Sequence, residues 1–453
     1  MNKDEKDGFM TALNLSEVRF SNYSDVVNPG RAIYNSQYSS VDTLGGDDQI
    51  IGTSNVSGDF ALVAYSGAAT QYGKAIASSH LKDKATVATY GIKNEGTINT
   101  NYGNDIVRGK ATANISATAV TVSEAIANAQ KSDAIAIANA FASINVKATA
   151  DGIDNSWGKL YTGDGSDSVT GNTDGSVSAV AVAILDASAI VEAICKAPMS
   201  QGLTAFAQAM ATSLAKGSIT ATGLKNNNGV ITTGKGDDTL SASATSSAGT
   251  FASSVSSTLA SATPGNQALA QSVALASAQA SDTAIAIDNS RGLIDTGIGY
   301  DTIDANAKAS DKAIAINNSG GKISTGDGND TITAKASGAE SYGIFGGNID
   351  TGYGNDRVIA SSFGGGVNID LGLGNDFVQG FGDAKLDGSL GWDTLDLSSY
   401  NKDNFKISFG GLFGFSLNNS VSFQLDGVTM TTTGFDQFNF ANGSYNFAQL
   451  RWA

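Results

Sequence analysis

The chain has almost nothing with which to do thiol, imidazole or proline chemistry. A single cysteine, Cys195, excludes an intrachain disulfide, and with a single histidine, His80, it excludes a Cys/His zinc site. His80 has no triad-like neighbours in the sequence and reads as an exposed polar residue. Cys195, within "VEAICKA", reads as a small buried apolar residue. Only 3 of 453 residues are proline, which argues against a proline-rich disordered chain. Basic residues are scarce too: 27 Lys and Arg stand against 43 Asp and Glu, giving a net charge of −16, and no basic block occurs. A nucleic-acid or anionic-membrane surface is therefore not expected. No run reaches the length of a membrane span. The N-terminal "MNKDEKDGFMTALNLSEV" is charged and lacks the apolar core of a cleaved secretory signal.

What the chain has is glycine, 54 residues, much of it in one recurring phrase. "ISTGDGNDTIT" (323–333), "IDTGIGYDTID" (294–304), "IDTGYGNDRVI" (349–359) and "IDLGLGNDFVQ" (369–379) follow the order apolar, x, Thr, Gly, x, Gly, x, Asp, x, apolar, with Leu371 in place of the Thr in the last. Aligned on the aspartate there are nine copies, at Asp48, Asp105, Asp167, Asp238, Asp301, Asp330, Asp356, Asp376 and Asp393. Every copy keeps an apolar residue seven before and two after the aspartate, and the glycine two before it. The earlier glycine is replaced by Leu44, Asn101 and Ser389 in three copies. The intervals are 57, 62, 71, 63, 29, 26, 20 and 17 residues, so the turn is constant and the length between turns is not. That pattern predicts stacked coils sharing one corner.

A second phrase precedes many of these turns: "SDTAIAIDNSRG" (281–292), "SDKAIAINNSGG" (310–321), "DGIDNSWG" (151–158) and "TGLKNNNG" (222–229). Alternating Ala and Ile predicts a strand with one buried face, and the Asn/Gly cluster a second corner. A stacked asparagine ladder is the reading favoured there. The fold class expected is all-β: a right-handed parallel β-solenoid or β-roll with short excursions in the long coils and an antiparallel C-terminal cap. A coil of some 60 residues in one loop would enclose a hollow that Ala and Ile cannot fill. An extra coil is therefore expected at 132–150, a helix at 203–214, where Leu203, Phe206, Met210 and Leu214 lie three or four apart, and a weaker helix at 267–280. The boundaries are an N-terminal segment 1–40, a solenoid 41–397 and a Phe-rich cap 398–453, which would cover an otherwise open strand edge.

Glycines with φ > 0 bring carbonyl oxygens together, and each aspartate adds a charged oxygen. Ca²⁺ takes six to eight such ligands in forgiving geometry, whereas Mg²⁺ demands a strict octahedron. One corner is too poor in oxygens, but two stacked corners could share an ion. Bound cations would also neutralise a ladder of like charges repeating at about 4.8 Å. The candidate calcium-site residues are Gly46 and Asp48; Gly103 and Asp105; Gly163, Gly165 and Asp167; Gly234, Gly236 and Asp238; Gly297, Gly299 and Asp301; Gly326, Gly328 and Asp330; Gly352, Gly354 and Asp356; Gly372, Gly374 and Asp376; and Gly391 and Asp393. The competing reading is that Asp and Gly are simply good turn residues.

"TGDGND", "TGKGDD", "TGYGND" and "LGLGND" resemble the Gly-Gly-x-Gly-x-Asp nonapeptide of the RTX (repeats-in-toxin) family, discontinuously over 41–397. The last intervals, 20 and 17, match one two-nonapeptide coil each, with a degenerate middle repeat at Gly382 and Asp383. In the N-terminal two-thirds one row of sites is expected rather than two. The resemblance implies several shared Ca²⁺ ions, export by an uncleaved C-terminal signal, and folding outside the cell. RTX is a fold and an export route, so function rests on sites. One histidine excludes a His-Glu-x-x-His protease, no Gly-x-Ser-x-Gly elbow is present, and no apolar helix is long enough for a pore. A non-enzymatic extracellular structural or adhesive protein is the first expectation, with self-assembly or a cell-surface glycan as partner. A polysaccharide lyase or epimerase on a β-helix is the alternative.

Overall fold

The computed structural model describes residues 12–130, 132–191, 204–262, 266–410 and 419–452; Cys195 and Leu203 lie outside these. The chain is an all-β parallel solenoid whose strands stack in sequence order into two sheets. Each coil places an outgoing strand after the Gly-Asp corner in one sheet. A return strand, the Asn-Gly corner and a three-residue strand lie in the other. Three apolar side chains per coil fill the space between them. On the short strand Val41, Ile98, Leu160, Ile231, Ile294, Ile323 and Ile349 are buried; on the outgoing strand Ile50, Val107, Val169, Leu240, Ile303, Ile332 and Val358; on the return strand Ile92, Ile153, Leu224, Ile287, Ile316 and Ile344. Strict register stacks each set into an aliphatic column, for example Ile98 on Leu160 on Ile231. Both apolar positions of the repeat are therefore core positions.

The Asn-Gly corner is held by the ladder anticipated from its sequence. The Asn35 amide donates to Asn94 Oδ1 at 2.7 Å, and Asn94, Asn155, Asn226 and Asn289 each repeat the bond to the next rung at 2.6–2.7 Å, ending on Asn318. Each amide also donates to a backbone carbonyl of the next rung, as Asn226 does to Leu293 O at 3.0 Å. All six asparagines are buried, and all but the terminal Asn318 use both amide protons, so the amide array fixes this corner.

Among the described residues the long coils form no hollow, extra coil or helix. They are four flat, broad rungs: Gln49–Thr70 with Gly73–Asn94, Ile106–Ala129 with Ala134–Asp154, Ser168–Val191 with Thr204–Lys225, and Thr239–Ala262 with Gln267–Asp288. Strands of this length run roughly 70–80 Å, so a two-layer wing projects from the column. Residues 132–150 belong to the return strand of the second broad rung rather than to a coil of their own. The helix expected at 203–214 is strand from Thr204, and that expected at 267–280 is strand from Gln267. The helical spacing misleads because the residues it picks out face outward: Phe206, Met210 and Leu214 lie on the outer face, while Ala205, Ala207, Ala209, Ala211 and Ala215 are buried. Alternate alanines suit a thin two-layer interior, and full-length pairing with strands on both sides overrides alanine's helical preference.

The buried residues form two clusters. One runs along the first three broad rungs and is mostly alanine, with Ile115, Ile144, Val146, Val177, Leu185 and Ile219. The other runs along the column, is rich in Ile, Val, Leu and Phe, and takes in the alanines of the narrow rungs and of the inner part of the fourth broad rung. Between them the two sheets touch at paired glycines. A Cβ on Gly52 would stand 2.2 Å from Gly91 O, on Gly109 2.0 Å from Gly152 O, and on Gly171 2.3 Å from Gly223 O. This glycine waist is where the sheets approach most closely.

The solenoid begins earlier than residue 41: Leu13–Asn14, Val26–Val27 and Ile33–Asn35 already pair in parallel with it. At the other end Val428–Thr433 and Gln437–Phe440 continue the parallel stack, and Lys406–Phe409, Val421–Leu425 and Gly443–Asn446 add antiparallel strands. Phe381, Tyr400, Phe405, Phe423 and Phe440 pack edge-on or tilted, with centroids 5.0–6.1 Å apart, and plug the column. Gly382, read as part of a degenerate repeat, opens a strand (Gly382–Asp387) and forms no second corner row.

The waist generates a paired test. Gly109→Ala is expected to destabilise the fold by about 1–3 kcal/mol through overpacking. Gly249→Ala, whose Cβ would meet nothing closer than 4.0 Å, leaves thermal unfolding unchanged.

Candidate metal centre: the aspartate corner

An added Cβ would strike the preceding rung's carbonyl at both glycine positions of the corner, 1.6 Å away on Gly163 and 1.9 Å away on Gly234, so what sets the second glycine apart is its backbone angle. Its φ is 107–156° in all nine copies. A Cβ on Gly165 would stand 1.8 Å from Gly103 O, on Gly328 1.5 Å from Gly299 O, and on Gly391 1.4 Å from Gly374 O. The first glycine position also has positive φ, but Leu44, Asn101 and Ser389 adopt it at 75°, 65° and 59°. This explains why the sequence relaxes one glycine and never the other.

Beyond the turn, every aspartate side chain folds inward. All nine are no more than 2% exposed. The backbone N–H of each donates to Oδ1 of the aspartate one rung on: Asp48 to Asp105 at 2.7 Å, Asp105 to Asp167 and Asp167 to Asp238 at 2.8 Å, Asp238 to Asp301 and Asp301 to Asp330 at 2.9 Å. The series continues through Asp356 and Asp376 to Asp393 at 2.8–2.9 Å. Two further members extend the ladder: Asp25, which has Tyr23 in place of the glycine, and Asp436, which keeps Gly434 two before it but has Thr429 in place of the apolar residue seven before. Asp25 N–H donates to Asp48 Oδ1 at 2.8 Å, and Asp393 N–H to Asp436 Oδ2 at 3.1 Å. Both keep the apolar residue two positions on, Val27 and Phe438, and both of these are buried.

Two neighbouring ladders brace the corner. Threonine hydroxyls donate along the stack, Thr43 to Thr100 O, Thr100 to Thr162 O and onward to Leu371 O, at 2.9–3.3 Å. The residue before the aspartate runs the opposite way: the side chains of Asp47, Asn104, Asp237, Asn329, Asn355 and Asn375 accept the N–H of the equivalent residue one rung later. Turn chemistry thus accounts for one oxygen of each aspartate.

It does not account for the other. Oδ2 of all nine aspartates is buried without a hydrogen-bond partner. An unsatisfied buried polar atom costs about 1–3 kcal/mol, and more when charged. Burial raises the pKa of every one: Asp105, Asp301, Asp330 and Asp393 to about 6, Asp238 and Asp376 to about 7, and Asp48, Asp167 and Asp356 in the same direction. The donated N–H and, in the first seven copies, a threonine hydroxyl of the same rung pull the other way. Asp376 has Leu371 at the threonine position and lacks that relief.

The donors left over fit a hard, oxygen-seeking cation. They are one carboxylate oxygen per rung and the carbonyl of the second glycine, which takes no N–H in the stack. Among the described residues no three Asp, Glu, His or Cys side chains converge on one point. Carboxylates would therefore supply only part of a Ca²⁺ shell, with carbonyls and water completing it. His80, by contrast, is stacked on Phe141 at 4.5 Å on the wing's outer face, far along the strand from any corner. No family model, curated protein or solved structure matches the chain. The fold and site themselves define its class, a parallel β-solenoid with a single row of buried aspartates.

A carboxylate whose folded pKa is raised stabilises the fold below its unfolded pKa and loses that contribution as pH rises through the folded value. Metal-free protein is therefore expected to lose thermal stability between pH 4 and pH 7–8, the reverse of ordinary acid denaturation. A melting series in EDTA measures it. Asp238→Asn keeps an oxygen for the Asp167 N–H and removes the charge. It is expected to raise metal-free stability at pH 8 by about 1–3 kcal/mol.

Proposed function

We propose that the chain is a secreted, calcium-binding β-solenoid that serves as an extracellular structural or adhesive scaffold, akin to RTX proteins. The observation that carries this reading is the row of nine buried aspartates, each with an oxygen that no protein group satisfies. Such a row is a liability at neutral pH unless cations neutralise it. Millimolar extracellular calcium would do so, and the extracellular affinity range of about 10⁻⁴–10⁻³ M would couple assembly of the column to export. Export through an uncleaved C-terminal signal, folding outside the cell and several ions shared between successive corners belong to the same proposal.

A scaffold role is supported by where the polar chemistry lies. The carboxylates of the corner are interior and engaged by backbone, so they are poorly placed to act on a substrate. A groove across the wing's outer face is lined by Ser57, Asp59, Asn114, Ser116, Ser176, Ser178 and Ser247. These hydroxyl and amide groups suit hydrogen bonding to a cell-surface glycan. The groove holds one carboxylate and no Arg, Lys or Tyr, which disfavours the lyase or epimerase reading. No helix among the described residues is long and apolar enough to cross a membrane.

Circular dichroism and thermal melting at pH 7.5 with Ca²⁺, with EDTA, and with Mg²⁺ at equal concentration test the proposal. Calcium is expected to raise β-signal and melting midpoint while Mg²⁺ does so weakly. Identical melts after exhaustive chelation would refute it.

A further inference from the structure

The four broad rungs end abruptly at both faces of the stack, and the two ends differ. The fifth coil pairs with the fourth broad rung only over Thr239–Thr245 and Thr283–Asp288. Beyond that contact, residues 246–262 and 267–281 pair with the third broad rung on one side and, among the described residues, with no strand on the other, so both layers of the wing end in an open edge. The exposed interior is visible in the side chains. On the third rung the return strand buries Ala205, Ala207, Ala209 and Ala211; their register partners Ala268, Ala270, Ser272 and Ala274 are exposed, as is every residue from 267 to 281. Neither open stretch contains a charged residue or a proline. A long, uncharged edge is a template for pairing.

The opposite edge, on the first broad rung, is open in both layers too, but its return strand is guarded, while its outgoing strand carries the single charge of Asp59. Its return strand carries Lys82, Asp83 and Lys84, and Asp83 stands in the inward row, beside buried Ile144 of the next rung. Inward-pointing edge charge is a device that blocks strand addition.

We propose that the open edge of the fourth broad rung is the interface of a two-fold dimer with a second copy of this chain. A partner must present two strands at once, running in opposite directions and separated by the wing's own thickness, because both layers are open together. A single peptide strand would satisfy only one layer; another wing edge satisfies both. The narrow rungs and cap rise above residues 239–245 and 283–288, so a copy in the same orientation would collide with them. A two-fold axis normal to the sheets avoids this: each copy's column then lies past the other's wing tip, and the edges pair antiparallel. The two layers share that axis. The middle of the open outgoing stretch is Ser254, and its hydroxyl donates to the carbonyl of Leu275, beside the middle of the open return stretch. Closure of the interface, together with the charges on the far edge, stops the assembly at two.

This inference stands on the wing edge and not on calcium. Sedimentation or light scattering is expected to give twice 45.9 kDa for the full chain. The double variant Ala274→Lys and Ala278→Lys, at exposed positions, is expected to be monomeric with unchanged far-UV spectrum and unchanged calcium response. In a Cys195→Ser background, Ser254→Cys is expected to cross-link as a dimer under mild oxidation and Ser246→Cys is not. A monomer at all concentrations, a dimer unaffected by the lysines, equal cross-linking at both positions, or open-ended filaments would each overturn the proposal.

Discussion

One bond repeats through the whole column: the N–H of a corner aspartate donated to the carboxylate of the aspartate one rung on. It fixes spacing and register at a point where the chain reverses. The strands between corners inherit that register, so their length is free to vary. Rungs of 7-residue and 24-residue outgoing strands share one column because their corners superpose. The asparagine ladder does the same at the second corner with neutral amides. The difference between the corners is chemical. Amides satisfy one another completely, whereas each carboxylate leaves one oxygen over.

The corners were legible in the sequence because two constraints coincide there. The second glycine is required both by its φ and by the carbonyl of the rung before it, and no substitution meets both. The flanking apolar residues were legible as core for the same reason: register stacks them. The ladder's end members were not, since each keeps only part of the phrase: Asp25 has Tyr23 in place of the glycine, and Asp436 keeps Gly434 but has Thr429 in place of the apolar residue seven before. The broad rungs were misread because a run of alanines carries no periodicity in hydrophobic size. Leu203, Phe206, Met210 and Leu214 offered a helical spacing, but those described face outward while small residues fill the interior. Nothing local distinguishes a thin two-layer interior from a helix face; pairing with the adjacent rungs decides it.

Side-chain size divides the molecule physically. The column is packed by Ile, Val and Leu and closed by a phenylalanine plug, whereas the wing is packed mainly by alanine methyl groups, with a few larger side chains such as Ile144 and Leu185. Alanine burial contributes little per residue, roughly one buried methyl each, so the wing depends on its backbone ladders and on the number of rungs. That dependence makes its terminal rung the weakest part of the interior and the place where an additional rung would matter most.

The glycine waist has a consequence for how such a chain can change over generations. Because the wing lies beyond the waist, which is glycine on the first three broad rungs and Ala242 with Ala286 on the fourth, residues added at a wing tip leave every corner where it was. The one arithmetic rule is parity: dipeptides preserve which side chains face inward, and a single residue inverts them. Reach is thus a heritable dial, turned in steps of two residues on neighbouring rungs, with the central spine left unaltered.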